Sequence, residues 1–214
     1  IKTMVSPNVG ATGQYLTDMS KLNNAVIAIN GGNFKDKNSK GTGGVPIGIT
    51  YSGGKFVYSS DFKYSTGGIV GFDKNNKLIL SKNCTKANAK KLKIRDCVSC
   101  RPFLIVNGKA SKITGNGGWG YAPRTAIGQR KDGIVLFLVV DGRRINKPGA
   151  SIKDLITIME NYGAYNAATL DGGTSSAMTE NGELVNDPVD ASGSHRTRPI
   201  GTGFGLVIDT KKKR

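Results

Sequence analysis

The longest uninterrupted apolar run in this chain is Ile134 to Val140, the length of one strand. The other apolar stretches are as short, and they end in clusters of Gly, Asn, Asp or Ser. A membrane helix needs about 18 consecutive apolar residues, so no membrane span is expected. Short apolar runs closed by turn residues are instead the pattern of a strand-rich fold. The chain has 214 residues, 30 of them glycine, about twice the ordinary share of about 7%. These glycines follow no period and punctuate apolar runs, which excludes collagen and low-complexity sequence. The length suits one large domain or two small ones and suffices to bury about 70% of the unfolded surface.

Strands are expected at Val26 to Ile29, Pro46 to Thr50, Lys55 to Tyr58, Ile69 to Phe72, Lys77 to Leu80, Pro102 to Val106, Thr125 to Gly128, Ile134 to Val140, Ala167 to Leu170, Leu184 to Val185 and Gly203 to Ile208. Hairpin turns are written between them, at Asp73 to Asn76, at Lys131-Asp-Gly133 and at Asn181-Gly182. One segment is plainly helical. Ile152, Leu155, Ile156 and Met159 fall at i, i+3, i+4 and i+7 behind Ser151 and Asp154, a variant capping box, with Gly163 as the stop. A shorter helix is expected around Leu16 to Leu22. No linker divides the chain. The expectation is a single domain over residues 1–214, with 1–15 and 209–214 peripheral or frayed, and the polar loop Lys35 to Gly44 as an excursion from it.

Lys and Arg number 31 against 15 Asp and Glu, a formal net charge of +16. That balance suits polyanionic partners. The cations are scattered apart from two clusters, Lys86 to Lys93 and Lys211 to Arg214. Neither carries interleaved aromatics in sequence, and no zinc-finger, basic-zipper or RNP pattern is present, so nucleic acid is not the expected partner. Three cysteines, Cys84, Cys97 and Cys100, are too few for a disulfide-built fold. Cys97-Val-Ser-Cys100 runs into a strand rather than a helix, against redox chemistry, and the one histidine leaves no zinc quartet. They are read as buried or bridged structural residues. The first residue is Ile1, so a trimmed or processed fragment is expected, from which any signal peptide would be missing. A secreted or cell-surface location, where anionic wall polymers would meet the basic surface, is expected.

One pattern occurs twice. Helix, short apolar strand and Asn30-Gly31-Gly32 come early; helix, short apolar strand and Asp171-Gly172-Gly173 come late. Each strand delivers a polar side chain at its end, and the glycines let the backbone turn and approach a ligand closely. Two ordinary turns would read the same way, since Asn, Asp and Gly favour them. Strand-end loops are nevertheless where sites gather.

Six segments together resemble the phosphodiester glycosidase family: Ala28 to Phe34, Cys100 to Gly108, Pro123 to Gly128, Val139 to Arg143, Leu170 to Met178 and Arg198 to Gly203. They stand in the family's order and span Ala25 to Val207. Cys100 replaces a usual small residue, and Thr174 replaces a common third glycine. The resemblance implies an α+β fold: a curved mixed β-sheet with helices packed against it. It also implies a hydrolase that cleaves the glycosidic C–O bond of a sugar-1-phosphodiester, an α-linked N-acetylglucosamine in a cell-surface or extracellular glycopolymer.

The residue chemistry fits that reaction. A phosphate monoester, with a second pKa of about 6, leaves readily as an anion. The site then needs cations for the phosphate, plus one carboxylate that attacks the anomeric carbon or activates a water. Asp171 is the candidate carboxylate, against a turn-stabilising role. Asp141, which the resemblance places near the site, is a second candidate as acid/base partner or cation ligand, against a hairpin-exit role. Arg124 and Arg198 are candidates to grip phosphate, against surface ion pairs. Thr125 joins Arg124 at a strand mouth. Gly172, Gly173, Thr174 and Ser175 can donate to phosphate oxygens; Asn30, with Gly31 and Gly32, can orient a sugar substituent. Trp119 and Tyr121 can stack on a ring, or simply pack. His195 sits in a polar loop, exposed or titrating near phosphate. The sequence leaves metal dependence open: Asp141, Asp171 and nearby carbonyls could take a divalent cation such as calcium, although no loop carries a readable ligand spacing. The residues leave two other functions open: a non-catalytic module binding anionic glycopolymers, and phosphodiester cleavage on the phosphorus side.

Overall fold

The computed structural model describes residues 1–36, 41–60 and 68–208. Three five-stranded sheets share one core, and each carries one helix. The first sheet contains β1 (Lys2–Val5), β2 (Ala25–Asn30), β13 (Met178–Glu180), β14 (Glu183–Leu184) and β15 (Thr202–Val207), ordered β1-β15-β2-β13-β14. The second contains β8 (Phe103–Val106), β9 (Lys109–Ala110), β10 (Arg124–Arg130), β11 (Val135–Val140) and β12 (Ala164–Thr169), ordered β11-β10-β12-β8-β9. The third contains β3 (Ile49–Ser52), β4 (Lys55–Ser59), β5 (Gly68–Asp73), β6 (Leu78–Ser81) and β7 (Ile94–Cys100), ordered β4-β3-β7-β5-β6.

Every pairing among these strands is antiparallel. The α+β class holds, but three antiparallel sheets replace the single mixed sheet that the family resemblance implied. The reason lies in the connections, since hairpins such as β5–β6 and β10–β11 deliver antiparallel neighbours. The β13–β14 turn shows the chemistry plainly. Asn181 and Gly182 take φ of 50° and 81°, the left-handed pair that tight hairpins require.

The sheets meet over Ile29 and Phe204 from the first, Ile127 and Ala168 from the second, and Val70, Phe72 and Val98 from the third. Phe72 and Phe204 cross edge to face at 6.0 Å, a favoured aromatic geometry. Helix α3 (Ile152–Asn161) lays its apolar stripe on Leu104, Ala126 and Ala167 of the second sheet, starting from a complete Ser151–Asp154 capping box. Helix α1 (Leu16–Leu22) packs Leu16 and Met19 near Met4, Ala25 and Ala28. Helix α2 (Lys86–Lys91) inserts only Ala89, beside Ile49, Ile69 and Ile94.

Two expectations change here. Within residues 1–15, the first six are not peripheral: β1 pairs with β15 along its length, and Thr3 and Met4 are fully buried, whereas residues 7–15 are exposed or half-buried. The chain there is Lys-Thr-Met-Val, too short to read as a strand alone. The central strand β7 was also absent from the sequence reading. It holds Asp96, almost fully buried, whose Oδ1 accepts from Thr3 N at 2.9 Å and Gly53 N at 3.0 Å, with Arg95 Nε against Oδ2 at 2.5 Å. A buried carboxylate persists only with such partners, and it breaks the apolar pattern that announces a strand. The expected frayed segment 209–214 lies outside the described residues. No helix among them is long and apolar enough to cross a membrane.

Candidate active site

The two glycine-hinged corners touch. Asp171 donates its N–H to the Gly31 carbonyl at 3.0 Å, and the Asn30 amide donates to the Asp171 carbonyl at 2.7 Å. These bonds stitch the exit of β2 to the exit of β12. Their roles then diverge.

The Asn30 corner faces inward. Asn30 is completely buried, and its Oδ1 accepts from Thr125 Oγ1 at 2.6 Å and from Ala177 N at 3.2 Å. Its polar atoms are thus bonded within the protein. A Cβ on Gly31 would stand 2.4 Å from Thr202 Oγ1, and one on Gly32 would stand 2.6 Å from the Ser99 carbonyl oxygen. Glycine is needed for backbone approach of β2's exit to β15 and β7, not for ligand access. Thr125, buried with its hydroxyl on Asn30, belongs to the same scaffold.

The Asp171 corner faces outward. Asp171, Gly172, Gly173, Thr174 and Ser175 line a cleft of about 590 Å³. Gly172 is extended; Gly173 turns to φ 64° and opens a single 3₁₀ turn over Gly173–Ser175, with its N–H on the Pro123 carbonyl at 2.8 Å. Burial pushes the Asp171 carboxyl up to about 6, although a Ser175 hydrogen bond, the Arg198 charge and the Gly172 N–H pull the other way. No ion pair among the described residues includes Asp171. It is the cleft carboxylate without a counter-ion.

The other two carboxylates of the cleft are occupied. Asp36 receives Arg198 Nη1 at 2.5 Å; that hydrogen bond holds its carboxyl below the usual range. Arg198 also donates Nη2 to the Gly41 carbonyl at 3.1 Å and lies 4.7 Å over the Phe34 ring. Asp190 accepts from Ser192 Oγ at 2.7 Å and Ser194 N at 3.0 Å, and pairs with Arg196; the Ser192 hydroxyl leads the causes that hold it far below the usual range.

Arg143 is the cleft cation that pairs with no carboxylate among the described residues. Its Nη1 donates to Thr174 Oγ1 at 2.8 Å and to the Val189 carbonyl at 3.0 Å. Its φ is 64°, a left-handed conformation uncommon for a side chain of this size. Sequence reasoning missed it as a site residue. The signal was its place in Val139 to Arg143, where attention fell on the aspartate. Phe34, Asp36, Asp190 and Arg196 also line the cleft and were missed, because only the fold brings their segments to Asp171.

Several expected site residues lie elsewhere. Arg124 stands behind the rim, its Nη1 3.7 Å from where a Cβ on Gly172 would lie, but it is not itself among the cleft-lining residues. Its Nε donates to the Ala150 carbonyl at 3.1 Å and its Nη2 to the Trp119 and Gly120 carbonyls at 2.8 and 3.0 Å, so it clamps loops together. Asp141 is not in the cleft either. Its oxygens accept from Asn186 Nδ2 at 2.7 Å and Asp187 N at 3.0 Å, which fixes the 186–187 loop. Asp141 and Asp171 therefore form no shared cation pocket, and the described residues hold no group of three His, Cys, Asp or Glu side chains fit for a metal. His195 is exposed, with Nδ1 2.6 Å from Asp187 Oδ1. Trp119 and Tyr121 are exposed away from the cleft lining.

All three cysteines are free thiols, none bridged. Cys100 is fully buried close to Asp171; burial first, then the Asp171 charge, pushes its thiol up to about 12. A thiol held protonated in this way is unreactive.

Comparisons with known proteins place the fold and the family. The structure superposes on the catalytic domain of zebrafish N-acetylglucosamine-1-phosphodiester alpha-N-acetylglucosaminidase, auto-inhibited by its pro-peptide, with a TM-score of 0.78 and 21% identity over 97% of this chain and 73% of that one. A hypothetical protein from Synechocystis matches with a TM-score of 0.71 and 14% identity, over 97% of this chain and 56% of its own. In sequence, the SPbeta prophage-derived uncharacterized protein YomE of Bacillus subtilis strain 168 is 40% identical over 68 residues, 32% of this chain but 11% of that protein's length. The family model for phosphodiester glycosidase matches residues 23–207, and the chain belongs to that family.

Proposed function

We propose that the protein hydrolyses the glycosidic C–O bond of a sugar-1-phosphodiester. The observation that carries the reading is Asp171: a carboxylate without a counter-ion, raised to about 6, in a cleft that also presents the carboxylate-free Arg143. At neutral pH it is ionised. It attacks the anomeric carbon directly or takes the proton of a water that does. The C–O bond breaks, the oxygen from water ends on the sugar, and the phosphate monoester departs as an anion. With a second pKa of about 6, that leaving group needs no proton from an acid, whereas ordinary glycosidases employ a second carboxyl for this purpose. Here Asp36 and Asp190 are bound to arginines, so no second free acid is needed or offered.

Arg143, rather than Arg124, supplies the charge for the departing phosphate, and Thr174 adds a hydroxyl beside it, while Ser175 is committed to Asp171 and the Gly172 carbonyl. Arg196 and Arg198 are neutralised by Asp190 and Asp36, which leaves Arg143, among the described residues, as the unpaired cation opposite Asp171. The sugar is proposed to be α-linked N-acetylglucosamine, as the zebrafish enzyme's name states for that protein. A secreted or cell-surface location and a cell-surface or extracellular glycopolymer substrate complete the reading; the net charge of +16 supports it.

The test is hydrolysis of an N-acetylglucosamine-1-phosphodiester in ¹⁸O water. Label in the sugar is expected, together with loss of turnover in folded Asp171→Asn. Label in the phosphate would mean attack at phosphorus. Salt-dependent binding without turnover would make the protein a binding module.

A further inference from the structure

A basic surface lies on the third sheet, apart from the cleft. Lys74, Lys86, Lys90, Lys93 and Arg95 line an open groove of about 670 Å³, with no acidic side chain in its lining. The four lysines are exposed, and none of them forms an ion pair among the described residues. Arg95 is committed inward, to Asp96, Asn76 and the Ile1 carbonyl. The sequence showed the 86–93 cluster without aromatics. The fold supplies them from another segment: Phe56 and Tyr51 of β4 and β3 line the same groove, and Lys86 Nζ sits 3.5 Å over the Phe56 ring.

Helix stability does not account for the arrangement. Lys90, in the last turn of α2, complements the helix dipole, but Lys86 occupies the first turn, where no acidic residue offsets it. A cation there opposes the dipole. β7 begins at the groove with Ile94 and Arg95, and ends with Cys100 close to Asp171. Its ends are about 20 Å apart at the rise of a strand.

We propose that this groove is an accessory site for the phosphate-bearing chain of a polymeric sugar-phosphate substrate, holding the polymer while one of its sugar-1-phosphodiester units occupies the cleft. The inference rests on the sugar-phosphodiester reading of that cleft. Lysine ammoniums act as point charges and suit phosphates on a flexible chain, where paired arginine forks would mark one fixed geometry. Lys86 lies over the Phe56 face, which takes one of the groove's two rings away from the base stacking that single-stranded nucleic acids use.

The experiment compares the full chain with K86E/K90E/K93E, both also carrying D171N for binding so that no polymer is consumed. The probe is poly(N-acetylglucosamine 1-phosphate), whose repeat is itself a sugar-1-phosphodiester, titrated at two salt concentrations. The triple variant is expected to bind at least about tenfold more weakly and with a flatter salt dependence. With Asp171 intact it should turn over a small N-acetylglucosamine-1-phosphodiester at the parental rate, which also shows that it folds. Equal binding by parent and triple variant would overturn the proposal. So would tighter binding of a single-stranded oligonucleotide than of the polymer. Failure of sugar release in both proteins would sink the cleft reading while the binding comparison still decides the groove.

Discussion

Asn30-Gly31-Gly32 and Asp171-Gly172-Gly173 are near copies in sequence and opposites in use. In the first, the amide is fully buried with its donors and acceptors bonded, and the glycines admit neighbouring backbone. In the second, the carboxylate reaches a cleft and the glycines form its rim. The difference follows from side-chain chemistry. An amide carries both donors and acceptors and can satisfy three neighbours at a buried junction. An ionised carboxylate accepts only, and without a cation it resists burial, so it stays where solvent or substrate can reach it. The first corner holds the second in place, through Asn30 to the Asp171 carbonyl.

Exchanging the two chemistries should produce the largest effects. Asp171→Asn should lower kcat/KM by about 10³-fold or more with thermal stability kept or raised, because it removes a charge that burial disfavours. Asn30→Asp should do the reverse. It buries a charge and removes the donor to Asp171, at a cost of about 3 kcal/mol or more in urea unfolding. If both variants lost activity with unchanged stability, the proposed division between scaffold and site would be wrong.

The arginines sharpen the same contrast. Arg143→Ala should raise KM by about 10- to 100-fold, the worth of a charge-assisted contact to phosphate, with little change in unfolding. Arg124→Ala should instead cost about 2 kcal/mol of stability, because carbonyls at Trp119, Gly120 and Ala150 lose their donor. The glycines come next. Gly31→Ala forces a Cβ to 2.4 Å from Thr202 and should cost about 1–3 kcal/mol. Gly173→Ala meets the flexible Arg143 tip at 2.9 Å and a φ of 64°, so it should cost about 1–2 kcal/mol and raise KM as Arg143 moves.

The remaining test is the pH dependence of the same carboxyl. With Asp171 at about 6 in the folded protein against 3.8 unfolded, kcat/KM should rise with pH through about 6 and then level. The linked stability has the opposite sign. The folded state holds this proton more tightly, so the group's contribution declines as pH rises from about 4 to 6 and is constant above. Asp171→Asn should flatten that segment of the wild-type stability curve; a curve identical in the two proteins would remove the elevated carboxyl from the argument.

Local pattern alone was enough for much of this molecule. The i, i+3, i+4, i+7 stripe and Ser151 cap announce α3, turn residues announce the hairpins, and Leu170-Asp-Gly-Gly marks the corner that carries Asp171. Such features depend on neighbours within a few residues, and the sequence states them directly. Features fixed by distant partners were decided by the tertiary structure alone. β7 is interrupted by Asp96, whose burial makes sense only once β1 and the β3–β4 turn supply N–H groups. Arg124 and Arg143 are indistinguishable as letters; loops folded over one make it a clamp, and the Thr174 and Val189 segment turns the other toward the cleft. Lys86 meets Phe56 across 30 residues of chain. A charged side chain takes its role from whatever converges on it, and that convergence exists only after the sheets have packed.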